Sequence, residues 1–146
     1  MQGSGTAANR TLVQRFYGEI WDRWDKDVAY EILTEDFLFR GSLGADRRGI
    51  DGFLDYVDRV RTALGDYRSD IGEMVEEPDR LAVKMTFSGD HRAEFFGVPA
   101  TGKRISWSGA AFFGFRNGRI SELWVLGDID AVKTQLGATR GGFENN

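Results

Sequence analysis

The chain has 146 residues, 41% hydrophobic and 29% charged, a globular balance for one domain that excludes a disordered or fibrous protein. Nineteen Lys and Arg against 23 Asp and Glu leave a net charge of −4, which argues against nucleic acid as the partner, because phosphate binding wants a basic face. With no cysteine, disulfides, thiol nucleophiles and Cys-based metal sites are excluded. No apolar run approaches the roughly 20 residues of a membrane span, and the first residues lack a signal peptide's apolar core, so a cytoplasmic protein is expected.

Residues 1–8, rich in Gly, Ser and Ala, read as a flexible leader, residues 9–137 as a single domain, and residues 138–146 as a tail. From Asn9 to Trp24, Leu12, Val13, Phe16, Tyr17, Ile20, Trp21 and Trp24 recur at helical spacing and predict an amphipathic helix. Asp25 is placed to cap a second, shorter helix that turns Val28, Ile32 and Leu33 inward. Phe37 to Arg40 is a short strand ending at a Gly-Ser loop, and Gly49 to Leu64 is a third helix burying Ile50, Phe53, Leu54, Val57, Val60 and Leu64. After Gly65 the pattern turns to strands. Ser69 to Val75 is one, and Leu81, Val83, Met85 and Phe87 alternate with polar or small residues to mark another. Lys103 to Phe115 is a third, and Ile129 to Leu136 a closing helical turn capped by Asp128 or Asp130. Helices first and an antiparallel meander after them imply an α+β domain, helices on one face of a curved sheet, with a conical cavity suited to a small molecule.

The sharpest local signal is Asn117-Gly118, which predicts a two-residue type I′ hairpin turn. Unbroken pairing from that turn sets Phe115 against Ile120, Phe113 against Glu122, Ala111 against Trp124, Gly109 against Leu126 and Trp107 against Asp128. Small residues would then oppose large ones, and a carboxylate would lie beside an indole at the end of the row. Desolvation by Trp107 and Trp124 would make Asp128 a better proton acceptor than a free aspartate. Trp107, Trp124, Phe113 and Phe39 serve either as core or as a platform for a flat substrate. Glu122, on the Asp128 face in this register, is a second acid or half of an ion pair. Arg40 holds an anionic oxygen or pairs with a carboxylate such as Asp36. His91, the only histidine, is a structural residue or a proton donor. Asp90 and Glu94 beside it do not make a convincing metal site, so no metal is expected. There is no Gly-rich phosphate cradle and no nucleophile elbow.

The run Gly89-Asp90-His91-Arg92-Ala93-Glu94-Phe95-Phe96-Gly97-Val98-Pro99-Ala100-Thr101-Gly102-Lys103, then Phe115 to Asp128, then Gln135-Leu136-Gly137, resembles the SnoaL-like polyketide cyclases, also called ester cyclases, of the NTF2-like superfamily. Phe16-Tyr17 and Glu35-Asp36-Phe37 extend the resemblance over nearly the whole chain, and Arg40 departs from it where many members have histidine. The resemblance implies an NTF2-like cone of three helices on a strongly curved, mainly antiparallel sheet of four to six strands. It implies a cofactor-free intramolecular aldol-type cyclisation, or a related proton transfer, on a polyketide-like or carbonyl substrate, with Asp128 as general acid/base and His91 as its partner. Sheets of this kind pair through their open faces, so a homodimer or homotetramer is expected. Since the fold hosts many activities, a non-catalytic ligand-binding protein, an isomerase and an epoxide hydrolase remain alternatives.

Overall fold

The structure, a computed structural model, describes residues 3–137. The elements in chain order are α1 (Gly3–Arg15), a π-helical continuation (Phe16–Asp22), α2 (Asp27–Ile32), β1 (Leu33–Arg40), β2 (Arg47–Arg48), α3 (Ile50–Ala63), β3 (Leu64–Glu77), β4 (Arg80–His91), β5 (Arg104–Arg116), β6 (Arg119–Gly127) and α4 (Ile129–Leu136). The six strands form one sheet in the order β2-β1-β6-β5-β4-β3, antiparallel except where β1 runs parallel to β6. Register shifts in the β3–β4, β1–β6 and β5–β6 ladders mark bulges, each of which bends its strand and helps wrap the sheet around the helices. This is the expected α+β arrangement.

Several boundaries move. The first helix begins at Gly3 and not Asn9, so it reaches into the stretch read as leader. The 138–146 tail lies outside the described residues. The second helix has Lys26 at its N-cap without a side-chain bond; Asp25 instead donates its backbone N–H to Glu19 O at 2.9 Å, so Asp25 is not the cap. Leu33 belongs to β1 and pairs with Ile120, because an extended residue there extends the sheet.

One core joins the two layers. Phe16 stacks on Phe53 at 5.4 Å and meets the edge of Phe113 at 5.5 Å, while Phe37 and Phe39 pack against Phe53 at 5.2 and 4.8 Å. The wider π turn keeps Phe16, Tyr17, Ile20 and Trp21 all buried against the sheet.

The hairpin turn forms as expected: Asn117 and Gly118 both take positive φ, 54° and 76°, as type I′ requires. The register beyond it does not hold. Arg116 pairs with Arg119 and Phe115 with Ile120, but Gly114 then pairs with Glu122, leaving Ser121 as an extra residue on β6. From there Phe113 faces Leu123, Phe112 faces Trp124, Ala111 faces Val125 and Gly109 faces Gly127. A slip of one residue turns every later side chain to the other face. Trp107 is therefore not opposite Asp128, and Trp124 and Glu122 do not share its face.

Candidate functional site

Between the π turn, β1, α3 and the inner face of the sheet lies a chamber lined by Tyr17, Trp21, Phe39, Tyr56, Tyr67, Phe87 and Trp107, with Gly41-Ser42-Leu43 across one side. Its room is about 30 Å³, enough for one or two waters. A larger guest requires the Gly41–Leu43 segment to move. That segment is held by the Leu43 N–H, which donates to the Tyr56 hydroxyl at 2.8 Å.

The chamber wall is apolar except for a few donors. The Tyr17 hydroxyl and the Trp107 Nε1–H are buried and have no hydrogen-bond partner among the described residues. Burial pushes the Tyr17 and Tyr67 phenols far up, and the Tyr56 phenol to about 12, so all three stay protonated at neutral pH. No Lys, Arg, His, Asp or Glu lines the chamber. At its rim lies Gly127: a Cβ there would sit 2.6 Å from Ser42 Oγ and 3.4 Å from Trp107 Nε1, so glycine leaves that corner open.

Asp128 follows Gly127 directly. Its side chain is exposed and accepts the Ala131 N–H at 3.1 Å, capping α4, as one of the two sequence readings has it. Its backbone N–H donates to Ser108 O at 3.0 Å. The burial between Trp107 and Trp124 expected for its carboxylate is absent, because the bulge at Ser121 removes that register.

His91 is fully buried at the end of β4, away from the chamber lining. Thr101 N–H donates to Nδ1 at 3.2 Å and the Thr101 hydroxyl lies 2.8 Å from the same nitrogen, so the ring proton belongs on Nε2, which donates to Val98 O at 3.1 Å. Both nitrogens thus hold the segment between β4 and β5. The chain supplies the matching backbone groups because Phe95 and Val98 close that segment through paired bonds of 3.0 Å.

Of the remaining expected site residues, Trp107 and Phe39 line the chamber, and Phe113 is buried beside it, 5.9 Å from Tyr17. Trp124, Glu122 and Arg40 lie on the sheet's outer face. Arg40 stacks over Trp124 at 5.1 Å and pairs with Asp46 at 3.9 Å, not with Asp36, which binds Arg116. Glu122 pairs with Arg80. They line a hollow of about 260 Å³ on the outer face with Phe112. Turned away from the chamber, Arg40 does not assemble the Asp-Arg-Asp set that an epoxide hydrolase needs. Among the described residues no group of three or more His, Asp or Glu side chains could hold a metal ion, and no helix is long and apolar enough to cross a membrane.

Sequence reasoning missed Tyr56, Tyr67 and Ser42, and read Tyr17 as an apolar position only. A phenol on a buried helical face is the signal that was available, since a buried hydroxyl needs a partner.

Comparison with known proteins follows the same lines. The chain superposes on a SnoaL-like protein from Jannaschia sp. CCS1 with a TM-score of 0.83 at 21% identity, covering 92% of this chain and 94% of that one. TsrD from Streptomyces laurentii gives 0.81 at 26% identity, covering 91% and 97%. A protein of ketosteroid isomerase-like fold from Catenulispora acidiphila gives 0.73 at 14%, covering 88% and 93%, and identifies the architecture as NTF2-like. No curated protein matches the sequence. The SnoaL-like polyketide cyclase family model matches residues 11–136, nearly the whole of the described chain, and the chain belongs to that family.

Proposed function

We propose that the chain is a cofactor-free cyclase acting on a small carbonyl compound held in the chamber. Asp128 removes a proton from a carbon flanked by carbonyls. The electron pair of that C–H bond passes into an enolate, which forms a C–C bond to a second carbonyl carbon of the same molecule, and the resulting alkoxide takes up a proton. What supports this reading is that Asp128 directly follows Gly127, where a Cβ would lie 3.4 Å from Trp107 Nε1, and that its exposed carboxylate makes one hydrogen bond among the described residues, from Ala131 N–H to Oδ1. His91 has the part of a positioning residue in this reading, since its nitrogens are already bonded.

The test is α-deuteration of ethyl 2-methylacetoacetate, followed by NMR, for wild type and Asp128→Asn. Asparagine keeps an oxygen for the Ala131 N–H, so the helix cap survives while the base is lost. A loss on the order of 10²-fold is expected; an unchanged rate overturns the assignment. One observation favours a second reading, a non-catalytic ligand-binding protein: no acid or base lines the chamber itself. Saturable binding of carbonyl compounds without catalysed exchange would select it. The outer face, where Phe112, Trp124 and Leu126 are about half exposed, is the surface through which we propose two copies pair. A strict monomer by light scattering would remove that pairing.

A further inference from the structure

We propose that the segment from Gly41 to Asp46 is a door to the chamber, hinged where β1 and β2 pair and latched by the Tyr56 hydroxyl. The proposal goes beyond the reaction suggested above, because it concerns how the chamber is reached and holds for any guest.

The base of the door is fixed. Phe39 pairs with Arg47 and Leu38 with Arg48, Gly49 N–H donates to Phe37 O at 2.7 Å, and the Arg47 guanidinium binds Asp55 of α3 at 2.7 Å. The segment that leaves this base is held quite differently. It has no regular structure, and among the described residues its backbone makes one hydrogen bond, from Leu43 N–H to the Tyr56 hydroxyl at 2.8 Å. Tyr56 is firmly seated: it is buried, and its ring packs against Phe39 at 4.7 Å with Arg47 over it at 5.9 Å. The door wraps around this ring. A Cβ on Gly41 would collide with the Tyr56 hydroxyl, and one on Gly44 would stand 3.2 Å from Cε2, so glycine permits both the close fit and the bending.

Magnitudes decide which fastening matters. One hydrogen bond and one partly buried leucine side chain hold far less than paired strands do, which places the segment at the low end of local stability. On the outside Asp46 meets Arg40 at 3.9 Å, but both side chains are largely exposed, and such a pair contributes little. The latch is therefore Tyr56. What lies behind the door supplies a reporter. Ser42 Oγ and Trp107 Nε1 stand 2.6 and 3.4 Å from the place a Gly127 Cβ would take, and the Trp107 N–H is buried. Lifting Ser42 uncovers that corner to water.

The test is native-state hydrogen exchange on the full chain, followed by NMR with no ligand present. Its outcome is thereby separate from that of the deuteration of ethyl 2-methylacetoacetate. In wild type the Leu43 amide and the Trp107 indole N–H should exchange through one shared opening. Both should be at least about 10-fold less protected than the hydrogen-bonded amides of β5 between Ala110 and Phe113, a strand paired on both sides. Tyr56→Phe keeps the ring and removes the latch, so it should speed both exchanges about 10-fold. The Thr101 amide, which His91 holds, should keep its wild-type rate in that variant. Arg40→Ala should leave the Leu43 and Trp107 rates unchanged. Gly41→Ala, whose methyl drives the segment off Tyr56, should remove most of the protection at both. Leu43 and Trp107 exchanging as slowly as β5 in wild type would make the segment a fixed wall and overturn the door. A Trp107 indole rate unmoved by Tyr56→Phe would mean that the chamber opens elsewhere, and would overturn it likewise.

Discussion

The β5–β6 hairpin carries aromatic residues on both faces, and the two faces have opposite fates. On the inner face Phe113 and Trp107 are at most 4% exposed, packed beneath the helices and around the chamber. On the outer face Phe112 and Trp124 oppose one another across the ladder and are 48% and 50% exposed, with Arg40 stacked on the indole. Composition does not separate these residues. On β5 plain alternation separates Phe112 from Phe113 and Trp107, and on β6 one extra residue, Ser121, decides the direction in which everything from Glu122 to Gly127 points, Trp124 included. The lesson is that an aromatic strand does not locate a site until its register is known.

The comparison is broken most directly at neighbouring positions. Phe113→Ala should destabilise the fold by about 3–5 kcal/mol, the usual loss for a buried phenylalanine. Phe112→Ala, one residue away, should cost less than about 1 kcal/mol in the isolated chain. Urea unfolding of the two variants measures both, and similar losses would contradict the inner and outer faces given to β5.

A second buried and exposed pair is His91, at the end of β4, and Asp128, between β6 and α4. His91→Ala strips Thr101 N–H and Val98 O of their partners and should cost about 2–4 kcal/mol. It should also expose the segment from Arg92 to Lys103 to limited proteolysis. Asp128→Ala, which removes only a helix cap, should cost about 1 kcal/mol, and Asp128→Asn less. A larger effect from Asp128 than from His91 would reverse the roles given to them.

Gly127→Ala tests the rim. The added methyl meets Ser42 Oγ, the end of a side chain that can rotate, so stability should change by less than about 1 kcal/mol. Narrowing the space between Ser42 and Trp107 should nevertheless weaken binding of a carbonyl compound held in the chamber several-fold, measured by calorimetry. Unchanged affinity would place the ligand elsewhere in the chamber.

The smallest effect belongs to the solvent side. Hydrogen bonds from Arg104 and Arg92 to Asp90 hold its carboxyl below the usual range. A carboxyl lowered in the folded state favours folding above its unfolded value of about 3.9, and that contribution disappears as pH falls through the lowered native value. Asp90→Asn should therefore lower stability slightly at neutral pH and match wild type in strong acid. Circular dichroism across about pH 2 to 6 checks this; a difference that grows in acid would contradict the ion pairs.

What the sequence alone determined follows from periodicity and turn chemistry. The spacing of Phe16, Ile20, Phe53 and Val57 marked the helical faces that form the core, and Asn117-Gly118 marked its turn, because only residues tolerant of positive φ fit there. The motif from Gly89 to Gly137 pointed to the family. Tertiary structure alone decided the rest. The bulge at Ser121 has no strong residue signature; it arises where β6 must pair at once with β5 and with the parallel strand β1. That choice put Trp124 and Glu122 on the outer face, beside Arg40 of β1, and released Asp128 from the burial expected for it. It also left the chamber to Tyr17, Tyr56, Tyr67 and Trp107, four residues from the π turn, α3, β3 and β5. Their sequence distance hides their meeting, because nothing local in a chain records which polar tips a curved sheet will bring together.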